Sequence, residues 1–280
     1  SGRRPFPIDN AWNTAVDQLP VDPNSDAIIA GIGTNAPLHP DFGADYNGGP
    51  FGIPYVVVDS STAMVPIAFQ YASESDPGPY PIPSNAPIEG GASSSGDRHI
   101  LVVNRDAWKL YELYSAYPAW SGWTAGAGAI FDMRSDALRP AGWTSADAAG
   151  LPIFPGLVRY DEVVGQGMIR HALRFTVVHS RHGYLAPATH YASNDTSVLR
   201  PPMGMRVRLK SGFDTSGYPT SARVVLQALK TYGMIVADNG SNWYLSGTAD
   251  AHWDDAELNT LKQVKGSDFE VVQMGSVTTN

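Results

Sequence analysis

At 280 residues the chain can bury a large core, as one big domain or two modest ones. Its 19 basic and 27 acidic side chains leave a formal charge of −8, which argues against a nucleic-acid partner. The absence of cysteine excludes disulfides, thiolate metal sites and a cysteine nucleophile.

Residues 1–50 read as an irregular N-terminal wrap, with a short helix near Ser25–Ala30 and the Trp12, Phe42, Tyr46 and Phe51 side chains pinning it to the body. Strand-like runs follow at Tyr55–Asp59, Met64–Ala72, His99–Asn104 and Lys109–Ala116, the last two as a hairpin. In its second strand Trp108, Leu110, Glu112 and Tyr114 alternate onto one face. Residues 117–160 read as loop, with a short helix near Thr144 or Ser145.

Strands are then expected within Met168–Val178, at Ala186–Ala192 and at Met205–Lys210. A helix capped by Thr220 or Ser221 runs to Gly233 and leads into a strand at Met234–Ala237. The turn Asp238–Gly240 returns through Trp243–Ser246. A second helix starts on the carboxylates at 254–257 and runs to about Val264, before a closing strand at Phe269–Met274. Many strands with few, late helices suit a mainly β fold, a β-sandwich or jelly roll with a few peripheral helices, as a single domain over 1–280. No run of eighteen apolar residues occurs, so no membrane insertion is expected.

Two His-bearing segments carry the chemistry. In the strand at 168–178, His171 shares a face with Ile169, Leu173, Phe175 and Val177, while Arg170, Arg174 and Thr176 point the other way. His190 lies in the segment Ala186–Ala192, beside Tyr191. Asp97, His99, His171 and His190 could meet on a metal, but no compact ligand motif supports one, and neither metal nor cofactor is expected.

Glycoside hydrolysis needs two carboxyl groups across a cleft. Glu112 is the candidate acid, because burial beside Leu110 and Tyr114 would raise its pKa, with Glu162 or Asp238 as partner. His171 and His190 would position substrate. Trp120, Trp123, Trp143, Tyr191 and Trp243 could stack on sugar rings, with Arg174 as a polar contact. Elimination beside a uronate carboxylate would instead draw on His171, His190, Tyr191 and the arginines at 170, 174, 206 and 208.

The phrases Gly96–His99, Leu110–Tyr114, Gly142–Gly156, Pro202–Gly204, Tyr232–Gly240 and Gly266–Glu270 resemble those of a family of uncharacterised exported bacterial proteins. The resemblance covers residues 96–115, 139–162 and 200–272 and implies export and one integrated domain, without assigning catalytic residues. The expected protein is a secreted or extracytoplasmic monomer acting on a polysaccharide or oligosaccharide, as a glycoside hydrolase. The alternatives are a polysaccharide lyase and a non-catalytic carbohydrate-binding or cell-surface protein.

Overall fold

The apolar run Ile100–Val103 is buried at every residue, and the reason lies in how the sheets are layered. The computed structural model describes residues 3–279. In chain order its strands are β1 (His39–Asp41), β2 (Tyr55–Val58), β3 (Ile67–Phe69), β4 (Ile100–Asn104), β5 (Lys109–Tyr114), β6 (Tyr117–Ala119), β7 (Gly122–Ala125), β8 (Ala127–Asp132), β9 (Leu173–Val177), β10 (Arg206–Leu209), β11 (Met234–Asn239), β12 (Tyr244–Ser246) and β13 (Phe269–Val271). They form a six-stranded sheet β1-β12-β9-β11-β10-β13, a four-stranded sheet β2-β4-β5-β8 and a small sheet β3-β7-β6.

The four-stranded sheet is an inner layer. Leu101, Val103 and Leu110 face the main core, whereas Ile100, Val102, Tyr111 and Leu113 face a second core shared with the small sheet. A strand covered on both sides needs apolar residues at every position, which is what β4 supplies. The main core draws on residues from Phe6 to Val271.

Each sheet contains a parallel pair: β1 with β12 and β9 with β11, β2 with β4, and β3 with β7. Parallel pairing requires crossover connections rather than tight hairpins. Helix α1 (Ser25–Ile32) packs near β13, and α2 (Thr220–Thr231) packs near β10. The sequence suggested a β-sandwich or jelly roll; the described residues form a mixed α/β arrangement of several sheets that is not clearly a clean sandwich.

The hairpin β4–β5 has the expected alternation, with Leu101 opposite Glu112 and Val103 opposite Leu110. Other segments differ. Residues 117–132 carry three strands, and Gly126 and Gly128 lie where a Cβ would meet an aromatic ring; a Cβ on Gly128 would lie 2.5 Å from the Phe69 ring. The segment Ala186–Ala192 is not a strand: Thr189 and His190 N–H donate to the Ala149 carbonyl, and Gly142 N–H donates to the Thr189 carbonyl. That exchange ties it to the 142–150 loop, and no helix forms near Thr144.

Helix α2 has no side-chain cap of its own. Glu257, from α3 (Asp255–Asn259), accepts the Ser221 N–H at 3.0 Å instead, while Asp254 caps α3 by accepting from Glu257 N–H. Arg206 and Arg208 hold the N-terminal wrap in place. Arg206 donates to the Ala11 and Thr14 carbonyls, and Arg208 to those of Val16 and Leu19.

Candidate functional site

Across the six-stranded sheet, register decides which side chains meet. Asp41 of β1 is opposite Ser246 of β12, and the antiparallel pairing of Leu245 with Phe175 places Ser246 beside Arg174 of β9. One row along, Tyr244 is opposite Thr176, and Thr176 is opposite Asp238 of β11. One face of the sheet is therefore polar. The other carries Leu245, Phe175 and Val236 into the core.

Asp238 reaches the polar face because β11 is irregular. Its register against β9 shifts between Val236 and Asp238, inserting one extra residue. A one-residue slip exchanges the two faces of a strand. Without the bulge, the Asp238 carboxyl would point with Val236 into the apolar core.

This polar face floors a cleft of about 1170 Å³. Glycine-rich segments at 46–52 and 88–92 form its walls, and Asp41, Glu89, Asp97, His99, Arg174 and Asp238 contribute charge. The buried Arg174 guanidinium is the centrepiece. Its Nε and Nη2 donate to the two Asp147 oxygens at 2.8 and 2.7 Å, and Nη1 donates to Ser246 Oγ at 2.5 Å. Nη2 also lies 3.4 Å from Asp238 Oδ2.

Beside it, His99 Nε2 donates to the Ala146 carbonyl at 3.0 Å, and Nδ1 lies 2.6 Å from Glu89 Oε2. A carbonyl only accepts, so with Glu89 ionised both ring nitrogens donate and His99 is an imidazolium. Although burial opposes the charge, the Glu89 carboxylate carries the His99 pKa up to about 9. Glu89 in turn is held below the usual carboxylate range by His99, against the effect of its own burial.

Asp238 behaves in the opposite way. Burial and the nearby Asp147 charge push its pKa up to about 7, although Arg174 and His99 pull the other way. Asp41 is also raised, by desolvation and by Glu89. The cleft thus holds one carboxyl poised to keep a proton near neutrality and another, Glu89, that stays ionised. Environments that separate two carboxyl pKa values are the usual basis for dividing acid and base roles.

Of the residues singled out from sequence, Arg174 and Asp238 come together here, with Asp97 and His99 also on the lining. Glu112 does not. It faces the main core as its alternation indicates, but it is wholly buried behind the 142–156 loop. Its carboxylate accepts the N–H groups of Ile153 (2.8 Å) and Phe154 (2.8 Å), so it fixes that loop and meets no solvent-filled space. Glu162 and His171 meet each other instead, Oε2 to Nε2 at 3.0 Å, with Arg159 at 2.7 Å from Glu162 Oε1.

His190 Nδ1 donates to the Ala148 carbonyl, and its ring stacks on Tyr191, which packs against His182. Neither His190 nor Tyr191 lines the cleft. Trp243 is fully buried between Phe175 and Phe269, and Trp123 belongs to the second core. Trp143 lies near Arg139, while Trp120 is fully exposed at the β6–β7 turn. These tryptophans do not gather into one stacking platform.

Asp41, Glu89, Ser246 and Tyr244 are the cleft residues that sequence reasoning passed over. The Arg174–Thr176 alternation was the available signal, because it marked the polar face of β9 on which they converge. Among the described residues no group of three or more His, Asp or Glu side chains is placed to hold a metal ion.

Burial pushes the Glu112 pKa up to about 7 against its two backbone donors. A folded-state pKa above the ordinary value of 4.5 means that folding favours the protonated form. That stability is full below the ordinary range and is lost as pH rises through about 7. Thermal melts from pH 5 to 8 should therefore fall more steeply in the wild type than in Glu112→Gln. Parallel curves for the two proteins would contradict this assignment.

No protein-family model matches the chain, and no curated protein or solved structure shows significant similarity to it.

Proposed function

We propose that the protein is a glycoside hydrolase acting on a polysaccharide or oligosaccharide in the cleft floored by Arg174. Asp238 is the general acid that protonates the leaving oxygen, and Glu89, kept ionised by His99, is the carboxylate that works opposite it. Asp41, on the same polar face opposite Ser246, orients substrate hydroxyls. Ser246 and Thr176 offer hydroxyl contacts, and Tyr244 and the partly exposed Phe51 offer apolar contact to sugar faces. The protein acts outside the cytoplasm in this reading.

The observation that carries it is the split among carboxyls around one buried guanidinium: Asp238 raised to about 7 and Glu89 lowered. A cleft of this size exceeds about 1,000 Å³, the upper end for small-molecule sites, and suits several linked rings. The elimination reading is less well supported, because its groups are dispersed. Arg174 is committed to Asp147, Arg206 and Arg208 are committed to the N-terminal wrap, and His171 is paired with Glu162.

The pH dependence of hydrolysis tests these roles. Asp238 must hold its proton, so the rate should fall as pH rises through about 7. On the acid side it should fall as the opposing carboxylate takes up a proton. Glu89→Gln should lower turnover by about 10²-fold or more and remove the acid limb. An acid limb unchanged in that variant would transfer the second role away from Glu89.

A further inference from the structure

A separate cavity shares no lining residue with the cleft, and its chemistry is different. It measures about 300 Å³ and is lined by Arg3, Arg4, Arg105, Arg159 and Arg170, in a chain whose overall charge is −8. Only Asp161 and Glu162 oppose them on the lining.

Glu162 is already spoken for. Arg159 and His171 both engage it, and they hold its carboxyl down to about 2 despite its burial. Arg105 is matched in part by Asp59 at 3.2 Å and Asp106 at 3.7 Å. Arg3, Arg4 and Arg170 have no carboxylate partner within ion-pair distance among the described residues; Arg170 donates only to the Gln166 side chain at 3.2 Å. The Arg3 guanidinium rests 3.8 Å from the centre of the Trp108 ring, which orients it without neutralising it.

Like charges that converge on a cavity repel unless a counter-charge enters. Guanidinium forks match the paired oxygens of carboxylate, sulfate and phosphate, and they bind these groups bidentately. We propose that this cavity is a binding site for a small anionic group, a carboxylate, sulfate or phosphate carried on a sugar-sized ligand. Arg4 and Arg170 provide the unmatched charge, and Trp108 with Tyr55 provides the apolar wall.

Calorimetric titration at low salt tests this with four probes: glucuronate, glucose sulfate, glucose phosphate and neutral glucose. At least one anion should bind with a Kd below about 1 mM, and glucose should not. Raising the salt to about 0.5 M should weaken binding, because the groups involved are solvent-accessible. The double variant Arg4→Gln/Arg170→Gln should lose at least about tenfold in affinity while keeping the wild-type melting curve and the wild-type cleft activity. The anion that binds most tightly identifies the group.

Absence of binding by all three anions, equal binding of glucose, or undiminished affinity in the double variant would each overturn the proposal. Asp238→Asn serves as the control for place. Binding retained there separates this cavity from the cleft whatever becomes of the hydrolase reading. Binding lost there but kept in the arginine variant would put the anion in the cleft and refute the assignment.

Discussion

Asp238→Asn should abolish cleavage of the natural glycan while leaving the fold intact. Asparagine has the same shape, and it can still accept from the Asn239 N–H, which donates to Asp238 Oδ1 at 2.7 Å. It cannot deliver a proton. Loss of general acid catalysis costs about 10²- to 10⁴-fold, and turnover should drop by that amount with little change in KM. Aryl glycosides whose leaving group departs without protonation should be cleaved far more nearly at the wild-type rate. The residual activity should also lose its fall above pH 7. A variant that kept full activity on unactivated substrate would remove Asp238 from the acid role.

Replacement of Arg174 should have the largest effect on stability. Asp147 is fully buried, and both of its carboxylate oxygens accept from that one guanidinium. Arg174→Met would leave a buried carboxylate without its counter-charge, a change that costs roughly 3–5 kcal/mol. For a chain of this size that corresponds to a fall in Tm of roughly 5–9 °C. Combining it with Asp147→Leu should recover much of the loss, since removing both partners avoids the orphaned charge. The double variant should nevertheless stay inactive, because Arg174 also anchors Ser246 and faces Asp238. If Arg174→Met melted like the wild type, the ion pair would not be the keystone of the cleft floor.

Much of the framework was legible in the sequence, and the reasons are local. Alternation marked β5, β9 and β10, and a capping carboxylate marked the start of α3. Alternation also put Arg174 and Thr176 on one face of β9, which is the face that floors the cleft. What alternation could not tell was where each face leads. Glu112 occupies its expected face, but the sheet that carries it is covered on both sides. The unbroken run Ile100–Val103 was the sign of that double burial. Trp243 follows the same logic: its ring lies between Phe175 and Phe269, on the core side of the sheet.

The remaining cleft residues depend on contacts between distant segments. Asp41 belongs to a three-residue strand, too short to show a period, and finds its place only by pairing with β12. Glu89 stands in a loop and gains its role from His99, ten residues later. The bulge that turns Asp238 toward Arg174 is a mismatch between β9 and β11, invisible in either strand alone. Helical character at 161–166 and strands at 117–132 were likewise hidden, the latter because glycine and tryptophan read as loop until the aromatic neighbours are in place.

The most direct measurement is release of new reducing ends, followed together with the ultraviolet absorbance of unsaturated products, across neutral and uronate-containing polysaccharides. The wild-type protein should generate reducing ends on at least one glycan without any rise in absorbance, fastest below pH 7, and Asp238→Asn should not. Absorbance rising in step with chain cleavage would mean elimination. Silence on every glycan, or cleavage that persists in Asp238→Asn, would contradict a hydrolase built on this cleft.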